Sequence, residues 1–179
     1  MRVITGTAKN GKLDAPIGKN TRPTAERVKE AIFSIIHFDL PESIVLDLFA
    51  GSGQLGIEAL SRGAKSCVFI DKDKQSNDVI TKNVERYKFN SISKIVNGDV
   101  ISYLKSTSDK YNIVLIDPPY DFDGAAGLLE LVGQKLLDDA TVIYECARTR
   151  EFDDSYGVLK KYREYAHGTT KLVVFKNSI

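Results

Sequence analysis

Residues 44–56 read IVLDLFAGSGQLG, and this stretch decides the fold. An apolar run meets three glycines, Gly51, Gly53 and Gly56, spaced G-x-G-x-x-G, and QLGIEALSR (54–62) then continues as a helix. Strand, glycine turn and helix in immediate succession open a βαβ unit. The pattern repeats outward. SCVFID (66–71), SKIVNG (93–98), YNIVLID (111–117) and TVIYECA (141–147) are strand-like. Between them, QSNDVITKNVERYK (75–88) carries Val79, Ile80, Val84 and Tyr87 on one side of a helix. VISYLKS (100–106) makes a short helix, and GAAGLLELVGQKLL (124–137) a helix weakened by its glycines. Strands that are mostly apolar predict a parallel sheet covered on both faces. At the end, YGVLKKYREYA (156–166) and TKLVVFK (170–176) pair antiparallel across a short connection. The expectation is a doubly wound α/β fold with a seven-stranded, mostly parallel sheet whose last strand is antiparallel.

Ahead of this core, RVIT and the turn around Asn10-Gly11 suggest a hairpin over residues 2–14. APIGKNTRP (15–23) is loop-like. Thr24 then reads as an N-cap, with Glu26 in the first turn and Val28, Ala31, Ile32, Ile35 and Ile36 at helical spacing to about His37. The chain divides into an N-terminal extension, 1–38, and a core, 39–179, within one domain. A length of 179 residues suits that.

No apolar run is long enough to span a membrane, and MRVITGTAKNG is too polar for a secretory signal. Cys67 and Cys146 each lie in an apolar run with no third ligand at metal spacing, so they read as buried, reduced thiols of a cytoplasmic protein. No metal site is expected, and a monomer is the default. The net charge of +1 is unevenly spread. Residues 1–30 hold seven Lys/Arg against three Asp/Glu, residues 160–179 hold five against one, and the middle is acidic. Basic ends on an acidic body suit contact with a polyanion as well as they suit a solvated surface.

The glycine pattern alone is shared with dinucleotide sites, and the acids around it separate the two. Asp47 lies on the strand four residues before Gly51. A carboxylate there repels a pyrophosphate but attracts an ammonium or sulfonium by roughly a few kcal/mol at an effective dielectric near 20. S-adenosylmethionine carries both positive groups. Its ribose hydroxyls suit Asp71, at the end of the next strand. Asp99, in NGDV, is placed equally well to reach the adenine amine or to cap VISYLKS.

A second motif ends the fourth strand, in NIVLIDPPYDF (112–122). An exocyclic amine on a base is a poor nucleophile because its lone pair is delocalised. Two acceptors on its two hydrogens, the Asp117 carboxylate and the Pro118 carbonyl, favour a pyramidal nitrogen and aim the lone pair. Pro118-Pro119 is a stiff turn that holds these acceptors still. Tyr120 offers a face for a flipped base, and Asp117 can accept the released proton.

At these residues the chain resembles the class I S-adenosylmethionine methyltransferases with an (Asp/Asn)-Pro-Pro-(Tyr/Phe) motif. More narrowly, it is similar to the RsmD-type methyltransferases of bacterial small-subunit ribosomal RNA. The likeness runs through NTRPTAERVKEAIF, LDLFAGSGQLGIEALSRGA, FIDKD, NIVLIDPPY and the final YAHGTTKLVVF. It implies a Rossmann-like fold and methylation of guanine N2 at family position 966 of 16S rRNA, in a small subunit or assembly particle. It carries cofactor binding onto Asp47, Phe49, Gly51, Ser52, Gly53, Gly56, Asp71 and Asp99, and catalysis onto Asp117, Pro118, Pro119 and Tyr120. RNA binding falls to Lys9, Lys12, Arg22, Thr24, Arg27 and Lys29. Many relatives have a further arginine in the turn where this chain has Gly11. DNA adenine, protein glutamine and a non-catalytic RNA-binding or assembly module stay open as rivals, although the first two groups more often have asparagine before the prolines.

Overall fold

A computed structural model describes residues 1–17 and 26–177. In chain order the elements are α1 (Glu26–Ile35), β1 (Ile44–Leu48), α2 (Gln54–Ser61), β2 (Ser66–Asp71), α3 (Lys74–Arg86), a 3-10 turn (Asn90–Ile92), β3 (Ser93–Asn97), α4 (Val100–Ser106), β4 (Tyr111–Ile116), α5 (Ala125–Gly133), β5 (Leu136–Ala147), β6 (Ser155–Tyr156), β7 (Leu159–His167) and β8 (Thr170–Lys176). The sheet runs β3-β2-β1-β4-β5-β8-β7-β6. The first five strands are parallel, and β8 is antiparallel to both β5 and β7. The order reverses between β1 and β4, where ligands of open α/β sheets bind. No helix among the described residues is long and apolar enough to cross a membrane.

The doubly wound architecture agrees with the sequence, with two local corrections. The eighth strand exists because Gly157, at φ +60°, breaks the expected 156–166 strand into a tight hairpin. The 124–137 helix ends at Gly133, because Lys135 accepts the Tyr111 N–H and Leu136 joins β5 opposite Tyr111. Alternation along each strand divides the core. One layer packs α1, α2 and α3 on Val45, Cys67, Phe69, Ile113, Leu115 and Ile143. The other packs α4 and α5 on Leu46, Leu48, Val68, Ile70, Val114 and Tyr144. With a period of two, Asp47, Asp71, Asp117 and Glu145 fall on the first of these faces, at the carboxyl edge.

The N-terminal extension is not a regular hairpin. A single bridge, Arg2 to Lys12, and bonds from Val3 N to Gly11 O and from Asn10 N to Val3 O close a wider loop. Asn10 takes the left-handed conformation, φ 64°, that its turn signal implied. The loop is anchored to α2 through Glu58, which is 0% exposed. Its carboxylate accepts the Ile4 N–H at 2.7 Å, the Thr5 N–H at 3.0 Å and Arg62 Nε at 2.8 Å, and Lys29 Nζ lies 3.4 Å away. Gly6, at φ +91°, admits no side chain, since a Cβ would lie 1.8 Å from Ser61 O. Asn83 completes the attachment. It donates to Asp14 O and to Ser52 O in the glycine loop and accepts the Asp14 N–H.

A buried charge stripped of its partner costs about 3–5 kcal/mol. Glu58→Ala takes the charge partner from the Lys29 ammonium, which keeps Arg2 O, and the acceptor from two N–H groups, so urea unfolding should show a loss of that size at unchanged m.

Candidate active site

A cavity of about 760 Å³ opens at the carboxyl edge of the sheet. Its walls are the glycine loop, the ends of β2 and β3, residues 117–124, the end of β5 with the following turn, and Met1. Every residue expected to bind a cofactor or act in catalysis lines it except Gly53 and Gly56, which shape the wall from behind. Gly51 (φ +58°) and Gly53 (φ +76°) need the left-handed region. Gly56 meets a packing limit instead: an added Cβ would lie 2.2 Å from Phe69 and 2.7 Å from the Cys67 sulfur.

Asp47 explains how the loop is held. Gly53 stands at the N-cap of α2 and has no side chain with which to cap it. The Asp47 carboxylate, reaching across from β1, accepts the Gly56 N–H at 2.9 Å and takes that part. It is 1% exposed. Burial raises its pKa well above the usual carboxylate range, and the negative charges of Asp117 and Asp71 raise it further. Asp47, Asp71 and Asp117 therefore act on one another in a cavity whose lining also includes Lys72 and Arg150. Asp71 is tied differently. One oxygen accepts the Gly51 N–H at 2.8 Å and the other the Asp73 N–H at 2.9 Å, which fixes the glycine loop to the end of β2. Asp99 caps α4 by accepting the Ser102 N–H at 2.9 Å, and it also lines the cavity, so both of its readings remain compatible.

Asp117 and Pro118 are half-buried, while Tyr120 is 60% exposed. The turn is closed by the Phe122 N–H on Pro119 O at 2.9 Å, and the Pro118 carbonyl is not part of that turn bond. Two residues that the sequence reading passed over hold this loop. The Phe122 ring meets Phe49 edge-on at 5.1 Å, and Arg150 donates to Phe122 O at 2.7 Å. Phe49 sits at φ 60°, an uncommon and costly conformation for a bulky residue. Arg150 lies over the rings of Tyr144 and Phe152. No spacing rule flags an arginine that acts on a loop 28 residues away.

The expected RNA contacts divide. Lys9, Lys12 and Arg27 are exposed, whereas Arg22 and Thr24 lie outside the described residues. Lys29 is a correction: it is 1% exposed, donates to Arg2 O and pairs with Glu58, so it is a structural cation with no surface to offer RNA. Burial pulls its pKa down and the Glu58 charge opposes that shift. At Gly11 an added Cβ would lie 2.4 Å from Tyr87 Oη, so a larger residue would need that ring to move.

The donor set suits a cationic nucleoside. Asp47 is buried beside Asp71 and Asp117, the Asp71 and Asp99 carboxylates flank the same space, and Phe49 adds an apolar wall. Comparison with known proteins supports this. A family model described as "Conserved hypothetical protein 95" matches residues 1–176. YlbH of Bacillus subtilis, provisionally named an rRNA methyltransferase, is 35% identical over 98% of each chain. Ribosomal RNA small subunit methyltransferase D of Escherichia coli is 36% identical over 80% of this chain and 73% of its own. A solved Escherichia coli structure, provisionally named the methyltransferase yhhF, superposes with a TM-score of 0.86 at 29% identity, covering 98% of this chain and 97% of that one.

The raised pKa of Asp47 has a signed consequence. The folded state keeps its proton to higher pH than the unfolded chain, where the group titrates near about 3.9. Asp47 therefore lowers stability progressively as pH rises from about 4 through its folded value. Asp47→Asn removes that term while its amide oxygen can still accept the Gly56 N–H. Urea midpoints should fall more steeply with pH for the wild type than for Asp47→Asn; parallel curves would contradict the assignment.

Proposed function

The chain belongs to the Conserved hypothetical protein 95 family, the RsmD family of methyltransferases, and on that premise we propose that it methylates the exocyclic N2 of a guanine in 16S rRNA. The coarser activity is S-adenosylmethionine-dependent methylation of rRNA. The finer assignment follows the family: guanine 966, in a small subunit or assembly particle, by a monomer in the cytoplasm. One observation carries the reading. The stiff turn at Asp117–Pro118 and the glycine loop face each other across a single cavity, joined through Phe122 and Phe49.

When bound, S-adenosylmethionine supplies an electrophilic methyl carbon on a sulfonium. Asp47, Asp71 and Asp99 are the acids that would hold its charged and hydroxylated parts, beside Phe49, Gly51 and Ser52. The protein's own work is on the amine. The Asp117 carboxylate and the Pro118 carbonyl accept its two hydrogens, localise the lone pair and orient it. Exposed Tyr120, at the rim, gives the flipped base a stacking face. Asp117 takes up the proton that leaves nitrogen as the new bond forms. The rate gain is chiefly one of orientation. Lys9, Lys12 and Arg27 are the phosphate contacts of the described extension, and Arg22 and Thr24 join them by family position.

The test is to incubate the protein and labelled cofactor with unmodified small subunits, with free 16S rRNA and with assembly particles, then map the nucleoside. N2-methylguanosine is expected, and label confined to adenine or to protein glutamine would overturn the assignment. Asp117→Ala should keep S-adenosylhomocysteine binding by calorimetry and lose about 10²-fold or more in kcat. Absence of binding heat from the wild type would instead support a non-catalytic module. Arg150→Met, which frees the 117–124 loop from its anchor, should lower kcat by up to about 10²-fold through misalignment while leaving cofactor affinity within a few-fold.

A further inference from the structure

Glu145 has no part in the chemistry described above, yet it lines the same cavity and is only 8% exposed. The last parallel pair between β4 and β5 is Ile116 with Tyr144, so Asp117 and Glu145 stand side by side one residue further on. Alternation puts both on the same face, the face of Leu115 and Ile143. Neighbouring strands lie about 4.8 Å apart, so the two carboxylates approach a base in the cavity from adjacent positions.

We propose that Glu145 is a specificity residue, its carboxylate accepting the N1–H of the target guanine. The inference rests on the reading of guanine N2 as the methylated amine. With the two N2 hydrogens accepted by Asp117 and Pro118, the neighbouring N1–H enters the cavity still needing an acceptor. A buried donor left unsatisfied costs about 1–3 kcal/mol, and a carboxylate one strand across from Asp117 removes that cost. Adenine presents a lone pair at N1 in place of a hydrogen, so acceptor would face acceptor and the base would be rejected. Asp117 alone cannot make this distinction, because adenine and guanine both carry an exocyclic amine.

2-Aminopurine separates the two roles, since it keeps the amine at C2 but has an acceptor at N1. Small ribosomal particles are assembled on 16S rRNA with guanine or 2-aminopurine at the target nucleotide and methylated by the wild type and by Glu145→Gln. The wild type should prefer guanine by about 10²-fold in kcat/KM or more. Glu145→Gln can donate as well as accept at this position, so its preference should fall below about tenfold, with S-adenosylhomocysteine affinity unchanged by calorimetry. Guanine labelling with the same preference in both proteins overturns the role of Glu145 alone. A wild type that methylates guanine and 2-aminopurine equally does the same, whether or not the variant folds. A wild type that leaves guanine unlabelled overturns the functional reading, and this inference with it.

Discussion

The bond from the Gly56 N–H to the Asp47 carboxylate holds β1, the glycine loop and the start of α2 together. It joins the middle of the five parallel strands to the helix beside it and caps a helix whose own N-cap is a glycine. It also sets the path of Gly51 and Gly53 between them. A helix that enters this close to β2 leaves no room for a Cβ at position 56. The same placement turns Glu58, two residues on, toward the N-terminal loop, where it gathers Ile4, Thr5, Lys29 and Arg62. The glycine-loop wall of the cavity and the attachment of the extension therefore depend on one short helix, α2. Burying Asp47 in this way raises its pKa, and a cation bound beside it would oppose that shift.

Charge in the extension illustrates what a count of residues cannot show. The first 30 residues read as basic and available to a polyanion. In the fold Arg2 pairs with Glu26, Lys29 with Glu58, and Arg86 of α3 with Asp14. These pairs leave the formal excess unchanged, since Lys29 is matched by an acid outside the segment and Asp14 by a cation outside it. Among the described residues, though, the exposed cations of this region not drawn into them narrow to Lys9, Lys12 and Arg27. C-terminal cations are paired too: Lys161 pairs with Asp154, Lys171 with Glu164, and Lys176 with Asp39. A warning was present in the sequence. Glu58 sits among Leu55, Ile57, Ala59 and Leu60, and a carboxylate on a helix that apolar all round is buried and must be paired.

Legibility follows the range of the interactions. The parallel strands and the glycine loop were readable because period and turn chemistry are local properties. So was the stiff turn after Ile116, since proline fixes its own backbone. The boundary near Gly133 was not, because Leu136 is drawn into β5 by its pairing with Tyr111, 25 positions earlier. Nor was the turn at Gly157, whose left-handed backbone makes a hairpin and an eighth strand where residues 156–166 read as one continuous strand. Lys29 was misassigned for a similar reason. Its position on α1 places it at the surface or beneath the extension, and only the fold of residues 2–5 over α2 decides which.

Arg150 and Phe122 carry the same point into the site. A methyltransferase must align the accepting atom with the methyl group of its cofactor, and here the glycine loop and the loop after β4 touch directly. Phe122 presses its ring on Phe49 of the glycine loop, returns its N–H to Pro119 and receives Arg150 on its carbonyl. Phe49 meets that ring from a left-handed backbone, a conformation that persists only where its surroundings over-determine it. A change in the glycine loop at Phe49 thus bears on Phe122, and through the closed turn on the backbone at Asp117 and Pro118. The glycine loop and the turn at 117–122 form one packed unit across the β1–β4 switch point, which is what the proposed in-line transfer requires of its scaffold.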